Sequence, residues 1–203
     1  MKKLMMIAAM MIAAVSANAQ NEVGQITLKP TVGMNIATMT KMTDSKVRIG
    51  LIAGVEAEYG VAENFGISAG VLYSMQGVKF KEREDGVSAT ETEKIDYINI
   101  PILAQFYPMK GLALKAGIQP GFKVSAKQSL RATSGSTTLT DSETLDGVKG
   151  FQFAIPVGIS YEYASFVLDA RYNIYLTKAL KSEWESNSRH SVFSITLGYK
   201  FAL

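Results

Sequence analysis

Eight stretches of this chain alternate apolar with polar or small residues at every second position, the mark of a strand whose two faces meet different surroundings. In the first, Ile26, Leu28, Pro30, Val32, Met34 and Ile36 share one face, and Thr27, Lys29, Thr31, Gly33 and Asn35 share the other. Comparable runs cover 47–59, a segment from 65, and then 96–107, 112–126, 151–163, 166–176 and 193–203. In the last run Phe193, Ile195, Leu197, Tyr199, Phe201 and Leu203 alternate with Ser194, Thr196, Gly198 and Lys200. Pro101 removes one ladder hydrogen bond from the fourth run, so a local bulge is expected there.

The links between the runs alternate in length. Short ones fall at 60–64, 108–111 and 164–165; long ones fall at 39–46, 81–93, 129–147 and 178–189. An up-and-down barrel has this rhythm when short turns gather on a periplasmic rim and long loops on the outer one, with both termini periplasmic. The segment 81–93 is dense in charge of both signs and 129–146 is rich in Ser and Thr, so both are expected to be solvated, mobile loops.

The N-terminus carries a different signal. Lys2 and Lys3 precede an apolar run from Leu4 to Val15, too short to span a bilayer comfortably, and Ser16-Ala17-Asn18-Ala19 provides small residues in an A-x-A arrangement. Residues 1–19 are therefore expected to be a cleaved signal peptide, and 20–203 a single β-barrel domain. The absence of cysteine excludes a lipidated cysteine at the cleavage site, a disulfide framework and a thiolate metal site. Of 21 basic side chains, the 19 left after losing Lys2 and Lys3 stand against 18 acidic ones, so the basic excess of a nucleic-acid binder is missing.

Alternation alone does not say whether the oily face points inward, as in a lipocalin, or outward into lipid. Three features favour lipid. The polar face is mostly Gly, Ser and Thr with scattered charges, which suits a narrow, side-chain-filled lumen. Aromatics, namely Tyr59, Phe65, Phe106, Tyr161, Tyr163, Phe166, Tyr199 and Phe201, gather near the short-turn rim as an interfacial girdle would. The chain also ends inside an alternating aromatic and aliphatic strand, a signal suited to outer-membrane assembly machinery. The expected fold is thus all-β: an eight-stranded antiparallel up-and-down transmembrane barrel whose unpaired edges are removed by closure.

The segments SMQGVKF, YINIPILAQFYP, LKAGIQPGF, LDARYNIYLT and LGYKF together resemble the PorT-like outer-membrane β-barrel family, over nearly the whole of 20–203. The resemblance implies a barrel of about eight strands in a Gram-negative outer membrane. It implies little about activity; one branch of that family is linked to protein secretion.

With the polar faces turned inward, the lumen receives Lys29, Arg48, Lys115, Lys123, Lys127, Arg171 and Lys200, together with Glu56, Glu58, Glu162 and Asp169. Isolated buried charges are costly, so a structural salt-bridge network is expected, with an anion-binding or ion-conducting interior as the alternative. Asn173 faces the lumen beside Asp169 and Arg171 and reads as a polar anchor between strands. His190, the only histidine, adjoins Ser191, but neighbouring strand residues point to opposite faces, which argues against a hydrolase site and leaves no catalytic residue to name. No helical metal motif, phosphate-cradling glycine loop or dinucleotide fingerprint appears, so neither metal nor cofactor is expected. The glycines occupy strand positions where neighbouring backbones and lumen side chains need room.

The functional expectation is an outer-membrane anchor with a filled lumen that presents its long loops for interaction or envelope integrity. Its partners would be outer-membrane lipid, the assembly machinery during biogenesis and an unidentified extracellular or envelope protein. A narrow channel for ions or small solutes is the second reading, and a lipid-modifying enzyme the third. Trp184, in the last long link, is a candidate surface anchor or interfacial aromatic.

Overall fold

The computed structural model describes residues 23–39, 45–84, 87–134, 137–145, 147–177 and 189–203, and every regular element among them is a strand. The segment 1–19, most of the links 39–46 and 178–189, and Trp184 lie outside the described residues. Twelve strands follow in order: β1 (Ile26–Met39), β2 (Ser45–Lys46), β3 (Arg48–Ala62), β4 (Phe65–Glu84), β5 (Val87–Asn99), β6 (Ile102–Met109), β7 (Leu112–Ser134), β8 (Thr137–Thr144), β9 (Phe151–Tyr163), β10 (Phe166–Tyr175), β11 (His190–Tyr199) and β12 (Phe201–Ala202). Collinear pieces combine them into eight staves, because β2 leads into β3, β5 into β6, β8 into β9 and β11 into β12. All pairings are antiparallel between staves consecutive in sequence, and β1 closes the barrel by pairing with β3 on one side and with β11 and β12 on the other. Closure leaves the barrel without a free edge, which hydrocarbon would not tolerate.

The exposed and buried faces follow the sequence period. Val32, Leu51, Val55, Val71, Ile118, Phe122, Val157, Ile159, Leu168 and Leu197 point out, whereas Thr31, Glu56, Ser68, Gln119, Ser160, Asp169 and Thr196 are buried. On β9 the outward stripe runs from Phe151 to Tyr161, which is about 33 Å along a strand. Tilted by about 45°, it crosses about 23 Å, close to the ~25 Å apolar band of outer-membrane barrels. The apolar outside and polar inside reverse the order of a water-soluble barrel.

The short turns share one rim with the described termini. Ala164 and Ser165 both have positive φ (48° and 68°) between the paired Tyr163 and Phe166, a two-residue hairpin turn of the twist that strands favour, built here without glycine. At this rim Leu203 donates its N–H to Ile26 O, at 3.0 Å, and Thr27 pairs with Ala202. Tyr59, Phe106, Tyr161, Tyr163, Phe166 and Phe201 are exposed here. Tyr199 is only 7% exposed, because Phe166 and Phe201 cover it with ring centroids 5.1 and 4.7 Å away.

The opposite rim departs from the expectation. The segments expected to be loops at 81–93 and 129–147 are largely strand: β4 pairs with β5 out to Glu84 and Val87, and β7 with β8 out to Ser134 and Thr137. The alternation of charged and hydroxyl residues sustains these ladders without an apolar face to announce them. A bulge between Asp96 and Tyr97, opposite Lys123 and Ser125, shifts the phase of β7. Ala126 therefore turns in and Lys127 turns out, exposed, contrary to the inward position expected for it. At Pro101 the strand is interrupted between β5 and β6, with Ile100 N bonded to Pro120 O at 2.8 Å.

Candidate functional site

The barrel interior is filled in layers, counted here from the short-turn rim. Lowest is an ionic group of Glu58, Glu162 and Lys200, in which Lys200 Nζ lies 2.6 Å from Glu162 and 3.4 Å from Glu58. Tyr107, whose phase follows Gln105 on β6, donates its hydroxyl to Glu58, and Lys200 sits over its ring, 5.7 Å from the centroid.

One layer up, five charged side chains meet near the axis. Lys29 and Glu56 face each other across the β1–β3 ladder at 2.8 Å. Arg171, from β10 on another wall, forks onto Glu56 at 2.6 and 2.8 Å and holds Asp169 through Nε at 2.7 Å and Nη2 at 3.0 Å. Lys115 on β7 closes on Asp169 at 2.6 Å, with Lys29 3.9 Å from the same carboxylate. The Arg171–Glu56 pair joins staves that are not neighbours in the sheet, so it ties two separate walls together across the lumen. Such forked pairs combine charge with fixed geometry. This group holds three cations and two anions, and the group below it one cation and two anions, so the two sum to neutrality.

Glycines make the room. A Cβ at Gly70 would lie 2.6 Å from Glu56 Cγ, one at Gly158 2.8 Å from Arg171 Cγ, and one at Gly198 2.8 Å from Lys29 Cγ. Three of the five ionic stems thus lie against wall positions that tolerate no side chain.

Above the charges comes a neutral hydrogen-bonded layer. Asn35 donates to Ser74 Oγ at 2.8 Å and accepts from Ser194 Oγ at 2.8 Å; Gln76 donates to the Tyr175 hydroxyl at 2.9 Å; Gln152 donates to Asn99 at 2.9 Å. Asn173 donates across to Val192 O at 3.3 Å and Ser194 Oγ at 3.2 Å. Between this layer and the ionic one lies a void of about 10 Å³, bordered by Thr31, Ser74, Asp169, Arg171 and Asn173 among others, the volume of about one water molecule.

Arg48 and Lys123, expected to join the ion pairs, do not. Arg48 donates Nη1 to Gln76 O and Lys123 donates to Val148 O at 3.1 Å, so both are met by backbone carbonyls. Highest is an apolar cluster of Val78, Ile95, Tyr97, Ala126 and Val148. Sequence reasoning missed it, because Tyr97 and Ala126 sit at the ends of runs read as strands and Val78, Ile95 and Val148 fall just outside them; the period-two pattern continuing from Tyr97 to Ile95 was the available signal. His190 is buried nearby, 3% exposed, its ring edge-on to Tyr97 and Tyr175 at 5.8 and 5.6 Å. Ser191 lies on the other face, hydrogen-bonded to Tyr172 at 2.9 Å. Among the described residues no cluster of His, Cys, Asp and Glu is arranged to hold a metal.

The sequence profile of the outer membrane protein beta-barrel domain matches residues 18–181. The chain belongs to that family. An outer-membrane β-barrel of this family lies in the lipid of the outer membrane, and its outward apolar stripes supply the contact surface. Among solved structures, this barrel is similar to Ail, the attachment invasion locus protein of Yersinia pestis, at 14% identity and TM-score 0.50, covering 89% of this chain and 100% of that one. Neisserial surface protein A gives 15% identity and TM-score 0.43 over 87% and 97% of the two chains. OprG from Pseudomonas aeruginosa gives 12%, 0.37, 91% and 99%. No curated protein matches the sequence. At these identities the likeness to Ail concerns fold alone.

Proposed function

We propose that this outer-membrane barrel is a membrane anchor with an occluded lumen, displaying the long-strand rim outside the cell for interaction or envelope integrity, after export through removal of residues 1–19. The observation that carries the reading is the filled interior. Ionic, amide and apolar layers succeed one another along the axis, and the void bordered by the ionic and amide layers has room for about one water. An eight-stranded barrel is just wide enough for its own side chains. The lumen network of Lys29, Glu56, Lys115, Asp169 and Arg171 then serves stability, tying the walls to one another. The SMQGVKF, LKAGIQPGF and LDARYNIYLT segments favour membership of the PorT-like family.

Planar-bilayer recording of the purified protein tests this. The proposal expects no stepwise conductance at moderate voltage; reproducible steps abolished by a lumen substitution would establish a channel instead. Protease added to intact cells tests the display, with cleavage expected at the long-strand rim and none within the membrane band.

A further inference from the structure

The extension beyond the membrane band, formed by β4, β5, β7 and β8 with β2 at its side, separates charge by face. Residues paired across strands share a face. On the lumen side, Val78, Glu93, Gln128 and Glu143 form one row, and Phe80, Glu91, Leu130 and Asp141 the next. On the outer side, Lys94 stands opposite Lys127, Lys46 opposite Lys79, and Arg131 opposite Thr90. The other outer positions in these rows are Gly77, Lys81, serines and threonines, so these rows carry no carboxylate on the outer side. Lys46, Lys94, Lys127 and Arg131 are exposed and Lys79 half-buried, and among the described residues none of the five lies within ion-pair distance of an acid. Asp96, one row nearer the membrane, accepts from the Tyr73 hydroxyl at 2.7 Å.

Like charges placed directly opposite destabilise a ladder. Two such pairs side by side, in rows that hold no acid on that face, form a surface completed by an external anion. Its position names the anion's source. The same strands continue downward into exposed Val124, Phe122 and Val71, so the cations stand just above the apolar band, at headgroup height. A phosphate at that level is carried by a lipid, and its acyl chains would lie along the outward apolar stripes.

We infer that Lys46, Lys79, Lys94, Lys127 and Arg131 form a docking surface for the phosphates of an anionic membrane lipid, of the phosphorylated glycolipid class, in the leaflet at the long-strand rim. The assignment of that leaflet to the cell exterior rests on the orientation proposed above; binding itself does not depend on it.

The test is native mass spectrometry of the full mature chain in neutral detergent, titrated with bisphosphorylated lipid A, its dephosphorylated form and phosphatidylethanolamine. Each lysine near an anionic surface contributes about fivefold. Bisphosphorylated lipid A should bind at least about tenfold tighter than either control, more weakly as salt rises, and K94Q/K127Q or K46Q/K79Q should each remove that preference while K94R/K127R keeps it. Equal binding of all three lipids, or a preference unchanged in both glutamine variants, overturns the inference. Competition by soluble pyrophosphate at the concentration of the lipid overturns the lipid as the source. Heat-modifiable migration of each variant verifies folding, and the intact-cell protease assay reads orientation separately.

Discussion

The five-residue ionic layer makes an ordering of substitutions that pairing within the layer decides. It contains Lys29, Lys115 and Arg171 against Glu56 and Asp169. Glu56→Gln keeps the volume but leaves three cations around one anion, and puts an NH2 donor in place of one of the two oxygens that meet Arg171 at 2.6 and 2.8 Å and Lys29 at 2.8 Å. Breaking a buried pair from one side costs about 3–5 kcal/mol, since the abandoned charge stays desolvated. Lys115→Met leaves two cations and two anions, with Asp169 still held by Arg171 at 2.7 and 3.0 Å. Its expected cost is about 1 kcal/mol or less, because Asp169 keeps Arg171 as partner and no buried charge is left uncompensated. With a urea slope of about 2 kcal/mol/M, the unfolding midpoint in lipid vesicles should fall by about 2 M for Glu56→Gln and by about 0.5 M or less for Lys115→Met. Circular dichroism and gel mobility follow the transition. Equal losses, or a larger loss for Lys115→Met, would refute the reasoning that the partners left to each charge govern the layer.

Gly158→Ala should cost about 1–3 kcal/mol by pressing on Arg171 Cγ and Ala170 O, while Gly150→Ala, with nothing within 4 Å of its Cβ position, should stay within about 0.5 kcal/mol; the same urea titrations distinguish them. Replacing Ala164-Ser165 by Asn-Gly should raise stability by about 1 kcal/mol, since both positions hold φ above zero, and a lower midpoint would contradict the turn geometry.

Where the sequence was informative, a physical asymmetry lay behind it. The staves from Ile26 to Leu203 were legible because one face must be apolar for lipid and the other polar for a filled lumen, so Leu168 and Asp169 announce their directions. The extension was hidden because both of its faces carry polar residues: Lys79 and Glu91 sit on opposite faces, yet hydropathy does not separate them. Lys127 went astray because one bulge residue inverts the phase of everything beyond it. Which strands meet across the lumen is a matter of closure, so the Arg171–Glu56 contact, 115 residues apart in sequence, was beyond the reach of spacing. Tyr107 and the amide layer of Asn35, Gln76 and Gln152 had the right phase but no charge to draw notice.

The outward orientation of the apolar stripes carries the whole account, and quenching by brominated lipids measures it. In a Trp184→Phe background, tryptophan introduced at Leu168 or Leu197, both about half exposed, should be strongly quenched by lipids brominated along the acyl chain, while tryptophan at the enclosed Tyr97 should not. Unquenched Leu168→Trp and Leu197→Trp in the folded, membrane-inserted protein would contradict it.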